Sequence, residues 1–329
     1  MTIFILLPMP RRARIDYPGL THHVMGRTFV GTVLFRDYED RNVFLGLLSR
    51  YLTKCEFQCY AWALMDTHYH LLVHTSQRPL WTLMKPLNNG YARFHNSKYR
   101  RRGALFADRY KSIATQDQNY LEQILQYVHL NPVRGGMCRS IQELNSYPWT
   151  GHSALMGTIS RPFQNTGAVL RRFGRNTTAA RERYGAFIEQ GLIAPDESDV
   201  AWWLRRGNSD RRDADDPACW VIGDSEFQKV VLQHDRERRL TIARYRAEGW
   251  TLKRVASHTA QLFGTKPELI TRTSKRTVHA DARKVFCFFA RQLQFPTRET
   301  GDFLGIQPAA VSLSAHKGEE VARSKGIAL

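Results

Sequence analysis

The sequence lacks any long uninterrupted run of apolar residues. The short apolar stretch near its beginning has no basic residue before it and no small-residue cleavage site after it. This pattern fits neither a signal peptide nor a transmembrane helix. We therefore expect a cytoplasmic protein without a membrane partner, whose functional start is Met1 or Met9.

Cysteine is also scarce, and the sequence shows no internal repeats and no coiled-coil heptads. The five cysteines are odd in number and scattered along the chain: Cys55, Cys59, Cys138, Cys219 and Cys287. Three residues separate Cys55 from Cys59, but no second cysteine pair completes a zinc site. We interpret all five as reduced thiols.

Acidic residues are few relative to basic ones. The chain has 48 Lys plus Arg against 30 Asp plus Glu, which gives a formal net charge of +18. An excess of this size attracts polyanions, with nucleic acid as the first candidate. A basic surface without a dedicated partner is the alternative.

The 329 residues allow about two to three domains. Residues 9–150 follow the order β-α-β-β-α-β-α, which predicts an α+β domain whose antiparallel sheet has helices on one face. We expect its last helix to end close to Asn131, because Pro132 disfavours helical geometry before it. Residues 151–235 read as a helical connector with a polar linker near 206–217, and residues 236–329 as a helical domain.

Two histidines give the first candidate site. His68 and His70 lie in a strand-like run, and side chains alternate along a strand, so both project from the same face. Two imidazoles on one side of a rigid strand can bind one divalent cation. A histidine pair on a strand is also common without any ligand.

A tyrosine and an asparagine give the second candidate site. Tyr127 and Asn131 are four residues apart and share one helix face. The asparagine oxygen suits a hard cation as a third ligand. Taken alone, Tyr127 could be a surface tyrosine, and Asn131 before Pro132 could be a plain helix stop.

Together these motifs resemble the single-tyrosine HUH transposases, most closely the REP-associated tyrosine transposases of bacteria. The resemblance covers roughly residues 9–150. It is carried by His68-Tyr69-His70, by residues 127–133, and by residues 36–41, 91–96 and 103–110. A typical member has a proline after Met65, where this chain has Asp66. The resemblance implies a ferredoxin-like or RRM-like HUH domain.

The resemblance also implies a chemistry. His68, His70 and Asn131 would bind Mg²⁺ or Mn²⁺, and Tyr127 would attack a phosphodiester to give a 5′-phosphotyrosine and a free 3′-hydroxyl. The substrate would be single-stranded DNA near a hairpin, and the protein would be associated with the nucleoid. Two alternatives stay open: a replication-initiator-like nickase, and a non-catalytic DNA-binding regulator.

Basic residues near these motifs are candidates for binding the DNA backbone, and neighbouring tyrosines could stack on unpaired bases. The DNA-binding candidates are Arg12, Arg14, Arg100, Arg101, Arg102, Arg109 and Lys111. The order of the motifs permits a complete site within one chain, so the protein could be a monomer or a homodimer.

Residues 236–329 resemble the C-terminal DNA-binding domain of the bacterial replication initiator DnaA, ending in a helix-turn-helix. We expect Thr297 to cap one helix, Gly305 to form the turn and Gln307 to cap the next helix. That helix would present Gln307, Ser312, His316 and Lys317 to a major groove of double-stranded DNA. A helical accessory domain without groove contact is the alternative.

Overall fold

The computed structural model describes residues 14–16, 18–193, 220–272 and 277–329. Four features predicted from the sequence therefore lie outside the described residues: Arg12, Cys219, the polar linker near 206–217, and the choice between Met1 and Met9. By its packing, the chain divides into two compact units, Met1–Leu232 and Gln233–Leu329. Each unit is described by itself. None of the described helices is long and apolar enough to cross a membrane.

The first unit is built on a sheet of four antiparallel strands and one short parallel strand. Its elements in chain order are β1 (Thr21–Arg27), α1 (Tyr38–Cys55), β2 (Gln58–Leu64), β3 (His68–His74), α2 (Trp81–Lys98), β4 (Lys111–Thr115), α3 (Asp117–Arg134) and β5 (Val221–Ile222). The strand order is β2-β3-β1-β4-β5, and β5 runs parallel to β4. The α+β class and its antiparallel strands are confirmed, and the parallel fifth strand is an addition.

Helices cover both faces of the sheet, whereas the sequence analysis expected them on one. Tyr69, Leu71 and Val73 of β3 pack in the cluster that contains the buried faces of α1 and α2. Leu72 faces the other way and packs with Leu125 of α3. The second face is covered because it also carries buried apolar residues, among them Ala61 and Ala63 of β2 and Leu72 of β3.

The start of α1 is fixed by a side-chain cap. The Asp37 carboxylate accepts a hydrogen bond from the Asp40 backbone N–H at 3.0 Å, as expected for an N-cap aspartate. The helix ends at Cys55, and Glu56 directly after it adopts a left-handed conformation with φ 59°. Between these ends, Phe44, Leu48 and Leu52 form the buried stripe of the helix.

Helix α3 continues to Arg134, so the expected end near Asn131 was wrong. Pro132 lies inside the helix and has no N–H to donate to the Val128 carbonyl. The Asn131 carboxamide nitrogen donates instead, to the Tyr127 carbonyl at 2.7 Å and towards the Val128 carbonyl at 3.5 Å. The Asn131 side chain thus supplies a hydrogen-bond donor where the proline has none.

Among the described residues up to 193, α3 is followed by the helices α4 (Ile141–Ser146), α5 (His152–Met156), α6 (Thr166–Phe173) and α7 (Thr177–Ile193). Leu144, Leu155, Tyr184 and Ile188 from these helices share one core with Leu125 of α3. The residues predicted as a connector therefore pack against the tyrosine-bearing helix.

The second unit is helical in its described residues. Helix α8 (Ser225–Ala247) begins before the division between the units, and α9 (Leu252–Leu262), α10 (Glu268–Thr271), α11 (Thr277–Gln292), α12 (Thr297–Leu304) and α13 (Pro308–Ser324) follow. Buried residues of α9 and α11 to α13, among them Phe286 and Phe289, form the core of this unit. The all-α C-terminal region is confirmed.

Helices α12 and α13 meet at a tight turn. Gly305 has φ 65°, and Gln307 precedes α13 at the capping position without a side-chain capping bond. Thr297 is the first residue of α12 and does not cap it, because Pro296 holds the capping position. A Cβ atom at Gly301 would lie 2.6 Å from the Ile306 carbonyl oxygen, so the close approach of α12 to the turn requires glycine there.

Candidate active site

His68 and His70 lie side by side on the face of β3 that α3 covers. Arg27 of β1 is opposite His68 in the antiparallel register, and Met25 is opposite His70. The two imidazole centroids are 5.0 Å apart. His70 is buried and His68 is half-buried, so access to the pair is from the His68 end of the strand.

A third imidazole, which sequence analysis did not single out, completes this group. His23 Nε2 lies 3.0 Å from His70 Nδ1, and the two rings are stacked with centroids 5.2 Å apart. His23 belongs to β1, so it meets His70 only through the pairing of β1 with β3. The only indication of this in the sequence itself is that His23 and Arg27, which lie four residues apart, face the same side of β1.

All three imidazoles are held in the neutral form. Burial lowers the pKa of His23 to about 4. Burial and the charge of Arg27 lower the pKa of His68 to about 4. The pKa of His70 is lowered well below its usual value by burial, with smaller effects from His23, His68 and Arg27. Neutral imidazoles keep the nitrogen lone pair that a metal ion needs, so the His68–His70 pair fits a divalent cation.

Tyr127 of α3 lies over this histidine group. Its ring centroid is 5.9 Å from that of His70 and 6.0 Å from that of His23, with both contacts edge-to-face. The guanidinium carbon of Arg134 lies 5.9 Å from the centroid of the Tyr127 ring. Tyr127 is half-buried. The structure thus brings together Tyr127, from the second predicted motif, and His70, from the first.

Asn131 lies one helical turn after Tyr127. Its carboxamide nitrogen is used by the helix backbone, which leaves the carboxamide oxygen as its ligand atom. The end of α3 lies beside the β2–β3 hairpin, since a Cβ atom at Gly135 would be 2.6 Å from Met65 Cε. In the part of the chain that the structure describes, no three His, Cys, Asp or Glu side chains are grouped to hold a metal ion. The role of Asn131 as third ligand stays a prediction.

Two cations flank the histidines on the same sheet face. Lys111 of β4 is opposite Met25, so it lies one strand beyond the row that contains His70. Burial lowers the pKa of Lys111, and the neighbouring charge of Arg27 lowers it further. Arg27 was not among the predicted DNA-binding residues. Its position opposite His68 depends on the pairing of β1 with β3, which the sequence alone does not show.

The other predicted DNA-binding residues are spread over the two units. Arg100, Arg102 and Arg109 are exposed, and Arg101 is half-buried. Arg14 donates two hydrogen bonds to the Tyr110 carbonyl, at 2.8 and 3.0 Å, and its guanidinium lies over the Tyr110 ring, so it has a structural role. In the second unit, Gln307 and Lys317 are exposed, while Ser312 and His316 are half-buried. Their contacts with DNA stay predictions.

The fold and the site define a class of domain in which paired imidazoles on a sheet face a tyrosine on a covering helix. Residues 18–131 match the family model described as "Transposase IS200 like". Over these residues, which are less than half of the chain, the protein is similar to the IS200-like transposases.

Among solved structures, the chain is similar to a REP-associated tyrosine transposase bound to a REP hairpin. The two chains are 10% identical, with a TM-score of 0.39, over 48% of this chain and 98% of that one. A search of curated proteins found no match.

Proposed function

We propose that this protein is a transposase-like strand transferase that cleaves and rejoins single-stranded DNA near hairpins, with Tyr127 as the nucleophile. The observation that carries the proposal is the contact of the Tyr127 ring with the rings of His70 and His23. These residues come from three elements, α3, β3 and β1, within one chain. The same contact supports a site that is complete in a monomer.

The proposed reaction is a transesterification. The Tyr127 Oη attacks the phosphorus atom, the new Oη–P bond forms, and the bond from phosphorus to the 3′-oxygen breaks. The phenol proton passes to water, and the departing 3′-oxygen takes up a proton to become a hydroxyl. The 5′-phosphotyrosine keeps the energy of the phosphodiester, so a 3′-hydroxyl can attack it and rejoin the strands.

His68 and His70 would hold Mg²⁺ or Mn²⁺, with the Asn131 oxygen as a third ligand. When bound, the cation neutralises the negative charge that develops on the phosphate. Arg134, whose guanidinium lies near the Tyr127 ring, would favour the phenolate as the proton leaves. A DNA substrate would place the protein at the nucleoid.

Covalent trapping tests the proposal. The protein is incubated with Mn²⁺ and a set of single-stranded oligonucleotides that carry imperfect hairpins, and denaturing gels are examined for a protein–DNA adduct. We expect an adduct that Tyr127→Phe abolishes. The matched control is Tyr120→Phe on the same helix, which should retain the adduct.

The outcomes separate the three functions. An adduct followed by strand rejoining supports a strand transferase, whereas an adduct without rejoining would indicate a nickase. Hairpin binding by folded protein without any adduct would indicate a non-catalytic regulator and overturn the enzymatic proposal.

We also propose that the second unit docks on double-stranded DNA through α12 and α13. The close approach of α12 to the turn at Gly301 supports this, and so does the exposure of Gln307, just before α13, and of Lys317 on α13. In the full chain, Lys317→Glu should weaken duplex binding and leave hairpin cleavage unchanged, whereas Lys253→Glu, an exposed lysine on α9, should not affect duplex binding. Equal duplex affinity of the two variants would contradict the docking.

A further inference from the structure

We propose that the end of β1 and the turn after it, residues 27–32, bind the unpaired nucleotide next to the scissile phosphate. Arg27 would contact a phosphate, and Phe29 would stack on the base. This inference rests on the proposed function and names residues that contact the substrate strand in it.

The turn is held in one shape by its own hydrogen bonds. The Thr32 N–H donates to the Phe29 carbonyl at 3.0 Å, and the Thr28 hydroxyl donates to the Thr32 carbonyl at 2.5 Å. Gly31 has φ 78°, a conformation that other residues rarely adopt. Phe29 and Val30 are therefore presented by a defined turn, which reduces the ordering cost of binding.

The turn is also attached to the candidate active site. The Thr28 N–H donates to the Thr67 carbonyl at 3.1 Å, and the Thr28 hydroxyl oxygen lies 3.1 Å from the same carbonyl oxygen. Thr67 directly precedes His68, and its hydroxyl lies 3.1 Å from His68 Nδ1. Phe29 is thus one residue from an anchor on the histidine-bearing hairpin.

Two adjacent apolar side chains at this turn are open to solvent. Phe29 is 47% exposed and Val30 is fully exposed. A single exposed apolar residue is ordinary, whereas an adjacent apolar pair held in a defined turn beside a site favours a binding surface. A phenyl ring offers the flat apolar face on which nucleobases stack, and such stacking tolerates any base.

The charges around the turn favour a nucleic acid strand. Arg27 is opposite His68 in the register, and its charge acts on His68, His70 and Lys111. The two cations, Arg27 and Lys111, therefore lie at the end of the sheet where Phe29 is exposed. Cation and ring together match the phosphate and the base of one nucleotide, whereas an apolar protein partner would have no use for the cations.

Binding measurements on the non-cleaving Tyr127→Phe full chain test the contact with Phe29. The probe is a fluorescein-labelled twelve-residue oligothymidylate in EDTA, and a series of oligonucleotides with one abasic position each. We expect Phe29→Ala to raise Kd at least about fivefold and to remove the effect of one abasic position. Phe29→Trp should restore the affinity. Val230→Ala, another exposed apolar residue, is the matched control and should leave Kd unchanged.

The salt dependence of DNA binding distinguishes the role of Arg27 from that of Phe29. Arg27→Gln should lower the slope of log Kd against log salt by about one, because one phosphate contact is lost, while Phe29→Ala should leave the slope unchanged. An unchanged Kd and abasic profile in Phe29→Ala would overturn the inference. If the wild-type protein still forms the Tyr127 adduct in that case, the proposed function stands without this contact.

Discussion

At the scale of the residue, Asn131 shows how one side chain serves both the helix and the candidate site. Its carboxamide nitrogen donates to backbone carbonyls beside Pro132, and its oxygen remains as the ligand atom. The spacing of Tyr127 and Asn131 could be read from the sequence because it lies within one helix. The hydrogen bonds from Asn131 to the helix backbone could not be predicted, because they depend on the helix continuing through Pro132.

The place of His23 in the candidate site could not be predicted from the sequence. His68, His70 and Tyr127 could be found because each belongs to a local motif. His23 joins them only through the register of β1 with β3, which pairs residues about 50 positions apart. That register depends on the packing of the whole sheet.

The His23–His70 hydrogen bond gives a prediction for metal binding. A hydrogen bond to one ring nitrogen fixes the tautomer and orientation that present the other nitrogen to a metal. We therefore expect His23→Phe, which keeps the ring volume, to lower the Mn²⁺ affinity about tenfold in an electron paramagnetic resonance titration. His22→Phe alters the neighbouring residue, whose ring contacts Ser112, and should change the affinity little. A folded His23→Phe protein with wild-type Mn²⁺ affinity would rule out this role.

At the scale of the element, α7 fixes the position of α3. The Gln126 side chain donates to the Phe187 carbonyl at 2.5 Å, and the Arg134 guanidinium donates to the Gly191 carbonyl at 3.3 Å. These bonds lie on either side of Tyr127 along the helix. The sequence predicts helices in both regions but not their contact, because the pattern of residues 151–235 indicates a connector.

A buried chain of side chains reinforces the same contact. His152 Nε2 lies 2.7 Å from Asn145 Oδ1, and His152 Nδ1 lies 2.7 Å from the Tyr184 hydroxyl. Burial lowers the pKa of His152 to about 3, so its ring is neutral. Its Nε2–H therefore donates to Asn145, and its bare Nδ1 accepts from Tyr184. The Tyr184 oxygen is then left to accept from His129 Nδ1–H, 2.8 Å away on α3.

Removal of the central hydroxyl should destabilise the first unit. In Tyr184→Phe, the Nδ1 atoms of His129 and His152 would both be buried without a partner. We expect a loss of about 2 kcal/mol or more in the free energy of unfolding, measured by urea denaturation. The hydroxyl of Tyr60 donates to Gln58 at the surface, so Tyr60→Phe should change stability by less than about 0.5 kcal/mol. Similar values for the two variants would show that the buried chain contributes little.

At the scale of the whole molecule, buried neutral histidines make stability depend on pH. Burial lowers the pKa of His22 to about 3, with His74 lowering it further and Asp117 opposing, and burial lowers that of His152 to about 3. In the unfolded chain both would titrate near 6.5. As pH falls below that value, these histidines become protonated in the unfolded state but not in the folded state. The free energy of unfolding therefore decreases.

Urea denaturation at pH 7.5 and at pH 5 measures this effect. We expect the free energy of unfolding to be lower at pH 5, with each such histidine contributing about 1 kcal/mol per pH unit below its unfolded value. The fall should continue until the pH approaches 3. Equal stability at the two pH values would show that the two rings take up protons within the fold.

The pairing of β4 with β5 has a consequence for how the protein can be shortened. Residues 18–131 match the family model, yet β4 within them is paired on one side by Val221–Ile222. The contact is extended by Gln116 and Asp224, whose side chains bond to each other and to backbone. A fragment that stops at residue 150 would leave the N–H and C=O groups of β4 open, and such strands recruit other chains into aggregates. The segment that matches the family model is therefore shorter than the segment that we expect to remain monodisperse in solution.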